Sequence, residues 1–198
     1  LSLHDALPIF TRARLHRLLA GGTTTVEVKS GYGLSLDAEI KQLEVIRSLQ
    51  GSRPHLVATF LGAHEVPAEH RHDRDGYVEL VVREMLPAVE RRGLARFCDV
   101  FCEPGVFTPR QSRTVLAAAL RHGLRPKVHA DELDGSGGAE LAVELDAISA
   151  DHLAAISAAG IRALGKATET LAVLLPGTMM FLGRAGRAPA RQLIDAGA

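Results

Sequence analysis

Lys127-Val-His-Ala-Asp-Glu132, followed one strand-plus-helix repeat later by Ser149-Ala-Asp-His-Leu153, is the part of the chain that decides its fold. Each string places a histidine at or just past the end of an apolar run, with a carboxylate beside it. In a parallel barrel the carboxyl ends of neighbouring strands share one rim, so two such strings one repeat apart bring His129 and His152 together. A rim of imidazole and carboxylate groups is what a metal ion needs to hold and activate a water.

Outward from these strings the same beat recurs in both directions: apolar strand, polar loop, amphipathic helix. Strands are expected over 24–28, 55–61, 97–103, 126–129, 147–151 and 170–175, each apolar or β-branched and several bounded by Gly or Pro. Helices are expected over 36–49, 75–91, 108–121, 138–144, 153–159 and 188–196, with Pro109 at a first helical position and Gly51, Gly93 and Gly123 as stops. Strict alternation implies parallel strands joined by right-handed crossovers. No glycine-rich phosphate loop opens a helix, which argues against a dinucleotide-binding sheet. The fold expected is therefore α/β, a partial TIM-like (β/α) barrel with about six of eight strands. Such an open set leaves two edges and an interior that should be apolar and exposed, an invitation to aggregation.

Composition narrows the function classes. Of 198 residues 46% are apolar, and 23 basic side chains balance 23 acidic ones. Zero net charge gives no footprint for nucleic acid or an anionic membrane surface. With no Trp and two Tyr, material for base stacking is scarce. No apolar run is long enough to span a bilayer. Cys98 and Cys102, the only cysteines, are four apart in a strand and so share a face; they read as buried thiols of a cytoplasmic protein. Residues 1–10 match nothing in the repeat and read as a foreign junction or sequence artefact, which leaves 11–198 as the barrel domain.

Four residues stand out beside His129. As the commonest metal ligand type at a strand end, His129 is a candidate ligand, with a structural histidine as the alternative. Glu132, on the following loop, can reach a bound substrate or water, or else faces solvent. His152 is a second ligand, a general acid/base, or an incidental neighbour of Asp151 capping the next helix. Tyr32 in Ser30-Gly-Tyr-Gly33 is flanked by glycines that let the backbone present its phenol to a ligand; a plain turn explains the glycines but not the Tyr. Gly62-Ala-His-Glu-Val-Pro67 ends the next strand the same way and points His64 at the same rim. His70 and His72, in a charged run, read as solvated. Two-metal barrels often use a carboxylated lysine on the strand that follows, and 97–103 contains no lysine, so the site reads as mononuclear.

Taken together, Gly22-Thr-Thr-Thr-Val-Glu-Val-Lys-Ser-Gly-Tyr-Gly-Leu34, Phe60-Leu-Gly-Ala-His-Glu-Val-Pro67, Asp99-Val-Phe-Cys-Glu103 and the two opening strings resemble the imidazolonepropionase family of the amidohydrolase superfamily, from about Thr11 to the C-terminus. The resemblance implies a hydrolase of histidine breakdown that opens 4-imidazolone-5-propanoate to N-formimidoyl-L-glutamate with one zinc or iron ion. It implies that His129 is a metal ligand, that Tyr32, His64 and Glu132 contact substrate, and that Glu132 and His152 handle the proton. It implies a small-molecule substrate, no nucleic acid or membrane partner, and leaves open a homodimer of the full-length enzyme. The family's His-x-His metal pair and a substrate-binding arginine would lie ahead of Thr11, and its eighth-strand aspartate just past Ala198, so one of four metal ligands falls within this chain. The expectation is an internal piece of such an enzyme that binds metal weakly and is inactive alone. The alternatives are another cyclic-amide hydrolase or nucleobase deaminase of the superfamily, or a non-catalytic barrel that binds a small molecule.

Overall fold

The computed structural model describes residues 3–51, 53–183 and 186–198, with side chains from Pro8 onward. Six strands carry the architecture: β1 Thr25–Lys29, β2 His55–Ala63, β3 Phe97–Cys102, β4 Arg125–Ala130, β5 Ser149–His152 and β6 Leu171–Val173. All six pair in parallel, each with the next in the chain, and the sheet curls into an open part of a TIM-like barrel. That sequential order is what short right-handed crossovers produce when every strand is followed by a helix on the same face.

The helices are α1 Leu3–Ala20, α2 Leu36–Ser48, α3 Arg74–Leu80, α4 Leu86–Arg92, α5 Pro109–Arg121, α6 Gly138–Glu144, α7 Ala158–Leu164, α8 Pro176–Phe181 and α9 Ala190–Ala196. They bury the outward side of the sheet. α2 contributes Ile40, Leu43 and Ile46, and α5 contributes Val115, Leu116, Ala118 and Ala119, against Ala58, Phe60, Cys98, Val100 and Val128 of the strands. α5 starts on a full capping box, in which Thr108 accepts from the Gln111 backbone and Gln111 returns the bond, with Pro109 in the first turn where its missing N–H costs nothing. Cys98 and Cys102 are both buried on the helix-facing side and unpaired by disulfide. Among the described residues no helix is long and apolar enough to cross a membrane.

Several expectations need correction. The helix expected over 75–91 is α3 and α4 joined by a π turn at Val81–Met85. Pro87, just after that turn, has no N–H to give to the preceding turn, and a widened turn accommodates the loss. The stretch 153–159 is mostly loop: α7 begins at Ala158, where Ser157 caps it by accepting from Gly160 N at 2.9 Å. Asp151 therefore caps no helix. Neither α1, which runs across position 10, nor α8 was evident from periodicity. Most consequential, the concave face is not apolar. Along the strands Glu27, Lys29, Thr59, Asp99, Lys127, Ser149 and Asp151 meet on the inner side through hydrogen bonds and ion pairs. Exposed apolar side chains lie elsewhere: at Leu171, Met180, Phe181 and Leu182 around β6 and α8, and also at Ile9, Phe10 and Leu18 of α1, Leu120 of α5 and Ile194 of α9.

Leu116 is fully buried between α5 and the sheet. Leu116→Ala is expected to cost about 2–5 kcal/mol, the range for a leucine cavity in a packed core. Urea unfolding should show a lower midpoint at an unchanged slope; an unmoved midpoint would contradict the packing described for α5.

Candidate active site

Five strand ends build one rim. Tyr32 follows β1, His64 follows β2, Phe101 is near the end of β3, His129 near the end of β4 with Glu132 just beyond it, and His152 closes β5. The rings of Tyr32 and His64 meet edge-on at 4.8 Å, His64 and His129 lie 5.8 Å apart, and His129 and His152 5.0 Å. Phe101 fills the space between His64 and His129, 5.7 and 5.9 Å from their ring centres. Nδ1 of His152 sits 3.4 Å from Glu132 Oε1. All five residues singled out from sequence thus come together. A cleft of about 510 Å³ opens beside Tyr32, His64 and Glu132, lined also by Glu65, Phe101, Leu133 and Leu182. A second cleft of about 430 Å³, lined by Leu174, Pro176, Met179 and Arg187, reaches His152 from the other side. His70 lies apart from the rim, packed 5.5 Å from Tyr77, and His72 is exposed.

Beneath the rim is a charge network that motif reading did not identify. Lys29 Nζ donates to Asp99 Oδ2 at 2.5 Å and to Asp151 Oδ2 at 3.1 Å; Lys127 Nζ donates to Glu27 at 3.1 Å and lies 3.4 Å from Asp151. Asp99 has no exposed surface, and its Oδ2 also lies 3.0 Å from Nδ1 of His129, off the line of a good hydrogen bond. Burial works against ionisation of Asp99, but its interactions with His129 and Lys29 outweigh it and hold the carboxyl well below the usual range. Burial likewise opposes the charge on Lys29, and Asp99, Asp151 and Glu27 together overcome it and raise its pKa. The available signal was positional: Glu27 and Lys29 alternate with Val26 and Val28, so the two charges had to share the face opposite the helices.

Backbone geometry aims the rim. His152 has φ 81° and Leu153 φ 62°, a left-handed pair at non-glycine residues, and Asp131 has φ 50°. Such conformations cost about 1–3 kcal/mol each and persist where surrounding bonds over-determine them. Here Leu153 N donates to Ala130 O at 3.0 Å and Ala155 N to Asp131 O at 2.8 Å. The buried Asp131 carboxylate accepts the backbone N–H groups of Ser136, Gly137, Gly138 and Ala139 at 2.8–3.2 Å, folding the loop after Glu132 onto the start of α6. Glu103 accepts from Glu132 N at 3.2 Å and Asp134 N at 2.6 Å. Asp131 and Glu103 are therefore loop anchors, and Glu132 is the side chain they leave facing the cleft.

Burial lowers the pKa of His152 to about 4, aided by the neighbouring His129, and lowers that of His64 for the same two reasons. Both are neutral imidazoles near pH 7, able to accept a proton or ligate a cation. Nδ1 of His64, His129 and His152 are buried without a well-aligned hydrogen bond, and those of His129 and His152 face the carboxylates of Asp99 and Glu132. Among the described residues no three His, Cys, Asp or Glu side chains form a group that could hold a metal ion by themselves.

Lys29→Met removes the cation held between Asp99 and Asp151 and leaves buried carboxylates uncompensated. The expected loss is about 3–5 kcal/mol of folding stability, read from chemical denaturation; a midpoint matching the parent would show that the network holds nothing together.

No family model matches the chain. It is 56% identical over 194 residues to an imidazolonepropionase of Geobacillus kaustophilus, covering 98% of this chain and 45% of that protein. It is 52% identical over 186 residues to one of Bacteroides fragilis, covering 92% and 44%. Among solved structures it resembles an adenine deaminase of Arthrobacter aurescens, with TM-score 0.71 and 16% identity over 100% of this chain and 61% of that one. An amidohydrolase from a Sargasso Sea environmental sample gives TM-score 0.61 and 21% identity, covering 96% and 46%. These two likenesses establish the fold, a partial TIM-like barrel. The chain spans a little under half the length of the curated relatives it matches. Over 92–98% of its own length, the chain is similar in sequence to these imidazolonepropionases.

Proposed function

We propose that this chain forms part of the active site of a hydrolase that opens the ring of 4-imidazolone-5-propanoate to N-formimidoyl-L-glutamate. The observation that supports this reading most directly is the convergence of Tyr32, His64, His129, Glu132 and His152 on one rim, each within about one side chain of the next. The likeness to imidazolonepropionases selects the substrate from among cyclic amides.

In this reading His129 contributes one ligand to a single metal ion, zinc or iron, with the remaining ligands coming from outside the described residues. When bound, the metal supplies an acidified water and polarises the ring carbonyl. The protein's residues do the rest. Tyr32 and His64, packed edge to face at the cleft mouth, hold the substrate so that its carbonyl carbon meets the water at attack distance. Glu132 and His152, 3.4 Å apart, take the water's proton and return it to the ring nitrogen as the C–N bond breaks. A neutral His152 suits the accepting role, because an imidazolium would have no site for that proton. Phe101 supplies an apolar wall between His64 and His129, which excludes water from one side of the reacting ring. The protein acts on a small molecule, in the cytoplasm, without nucleic acid or membrane.

The test is ring opening of 4-imidazolone-5-propanoate, with N-formimidoyl-L-glutamate as product, by a version of this protein as long as its curated relatives. Glu132→Gln in that version is expected to lower turnover by about 100- to 10,000-fold, the range for a positioned proton carrier, while the substrate still binds. Unchanged turnover would remove Glu132 from the chemistry, and hydrolysis of a nucleobase in place of the imidazolone would overturn the substrate assignment.

A further inference from the structure

Tyr32 is a conspicuous side chain: its ring is 81% exposed, yet it is held edge-on to His64 at 4.8 Å. An exposed ring on a glycine-flanked loop has little packing of its own to fix it. What fixes the loop lies underneath. Glu39, on the first turns of α2, has no exposed surface. Its Oε2 accepts from Gly31 N at 3.0 Å, and its Oε1 accepts from Gly33 N at 2.7 Å and Leu34 N at 3.0 Å. One carboxylate thus receives the backbone N–H groups on both sides of Tyr32. Bonds from amides to a charged acceptor are stronger than neutral ones, and leaving such a group unpaired in a buried site is costly.

The glycines are matched to this arrangement. Gly31 has φ 121°, and a Cβ there would meet Leu61 O at 2.9 Å and His64 Cβ at 3.2 Å. Gly33 is needed for a different reason: a Cβ would stand 2.6 Å from Glu39 N and 2.9 Å from Glu39 Oε1. The loop can lie on the carboxylate only because both residues lack a side chain. Ser30 adds a bond on the other side, its Oγ accepting from Leu61 N at 3.1 Å.

We propose that Glu39 is a positioning residue that sets Tyr32 against His64 at the mouth of the cleft. It touches no substrate; it acts through three backbone amides. The significance for catalysis rests on the reading of Tyr32 and His64 as substrate contacts, whereas the positioning itself does not.

The chain offers a clean readout, since it has two tyrosines and no tryptophan. Tyr77 is buried, with its hydroxyl donating to Gly62 O at 2.8 Å, so its signal is readily told from that of the exposed Tyr32. In NMR spectra of tyrosine-labelled protein, Tyr32 should carry a ring-current shift from His64. Glu39→Gln keeps the shape but turns one carboxyl oxygen into an NH2 donor facing backbone donors. The expected result is that Tyr32 moves to the position of an unstructured tyrosine and the Gly31, Gly33 and Leu34 amides lose exchange protection. An unmoved Tyr32 with protected amides overturns the proposal. Should Glu39→Gln not fold, Gly33→Ala displaces the loop with the carboxylate intact and should release Tyr32 in the same way; an unmoved Tyr32 there overturns the proposal equally. In a version as long as the curated relatives, Glu39→Gln should raise KM about tenfold and leave kcat within about twofold, the pattern for lost ground-state binding. Release of Tyr32 with an unchanged KM would support the positioning by Glu39 and count against Tyr32 as a substrate contact.

Discussion

Lys29, held between Asp99 and Asp151, is the interaction on which the concave side of this sheet depends. It ties β1 to β3 and β5, strands that do not pair with each other, across the hollow of the curl. Isolated in the interior, any of these charges would be severely penalised; together with Lys127 and Glu27 they satisfy one another. The network also reaches the rim. Asp99, kept ionised by Lys29, is the carboxylate beside His129, so the foundation of the sheet and the orientation of the central histidine share one group. Removing a partner is harsher than never having built the pair, because the remaining charges have no water to turn to.

Above that foundation the design repeats. Two loops that carry rim residues are held by buried carboxylates accepting backbone N–H groups: Glu39 under the Tyr32 loop, and Glu103 and Asp131 along the loop that leads from β4 through Glu132 into α6. A carboxylate has room for several donors and no hydrogen of its own to place, which makes it a natural clasp for irregular backbone. The left-handed conformations of His152 and Leu153 are held instead by backbone bonds, from Leu153 N to Ala130 O and from Ala155 N to Asp131 O. Strain at these residues is sustained by bonds on either side, and its consequence is geometric: the chain turns sharply at the end of β5 and leaves the imidazole of His152 beside Glu132.

The fold was legible where periodicity was strong. Thr24 to Val28, His55 to Leu61 and Phe97 to Glu103 read as strands and are strands within one or two residues, because β-branched and apolar runs between glycines have few other uses. The 36–49 and 108–121 helices read as well, since their apolar faces and stops agree. Where reading failed, a tertiary fact had intervened. The 153–159 segment has helical composition, but its first residues are committed to bonds with Ala130 and Asp131, and the helix waits for Ser157. The 75–91 helix is widened around Pro87. The rim residues were legible because each ends a strand. The network below was not, since Lys29, Asp99 and Asp151 are far apart in sequence, and only the alternation of the strands shows that they face one another.

The spacing of the rim rings shows what curvature contributes. Parallel strands lie about 4.8 Å apart, so groups two strands apart on a flat sheet would be separated by about 10 Å. His64, just past β2, and His129, on β4, are two strands apart, yet their ring centres are 5.8 Å apart, with Phe101 of the intervening strand set against both. The curl has folded the strand ends inward and turned a row of side chains into a pocket. His129 and His152, on adjacent strands, keep close to the strand spacing at 5.0 Å. Because every strand pairs with its sequence neighbour, these separations are set by the local register and twist of β2 to β5. The arrangement of the histidines follows from the six strands described, whose curl is fixed by packing against α2 to α7 and by the ion pairs across the hollow.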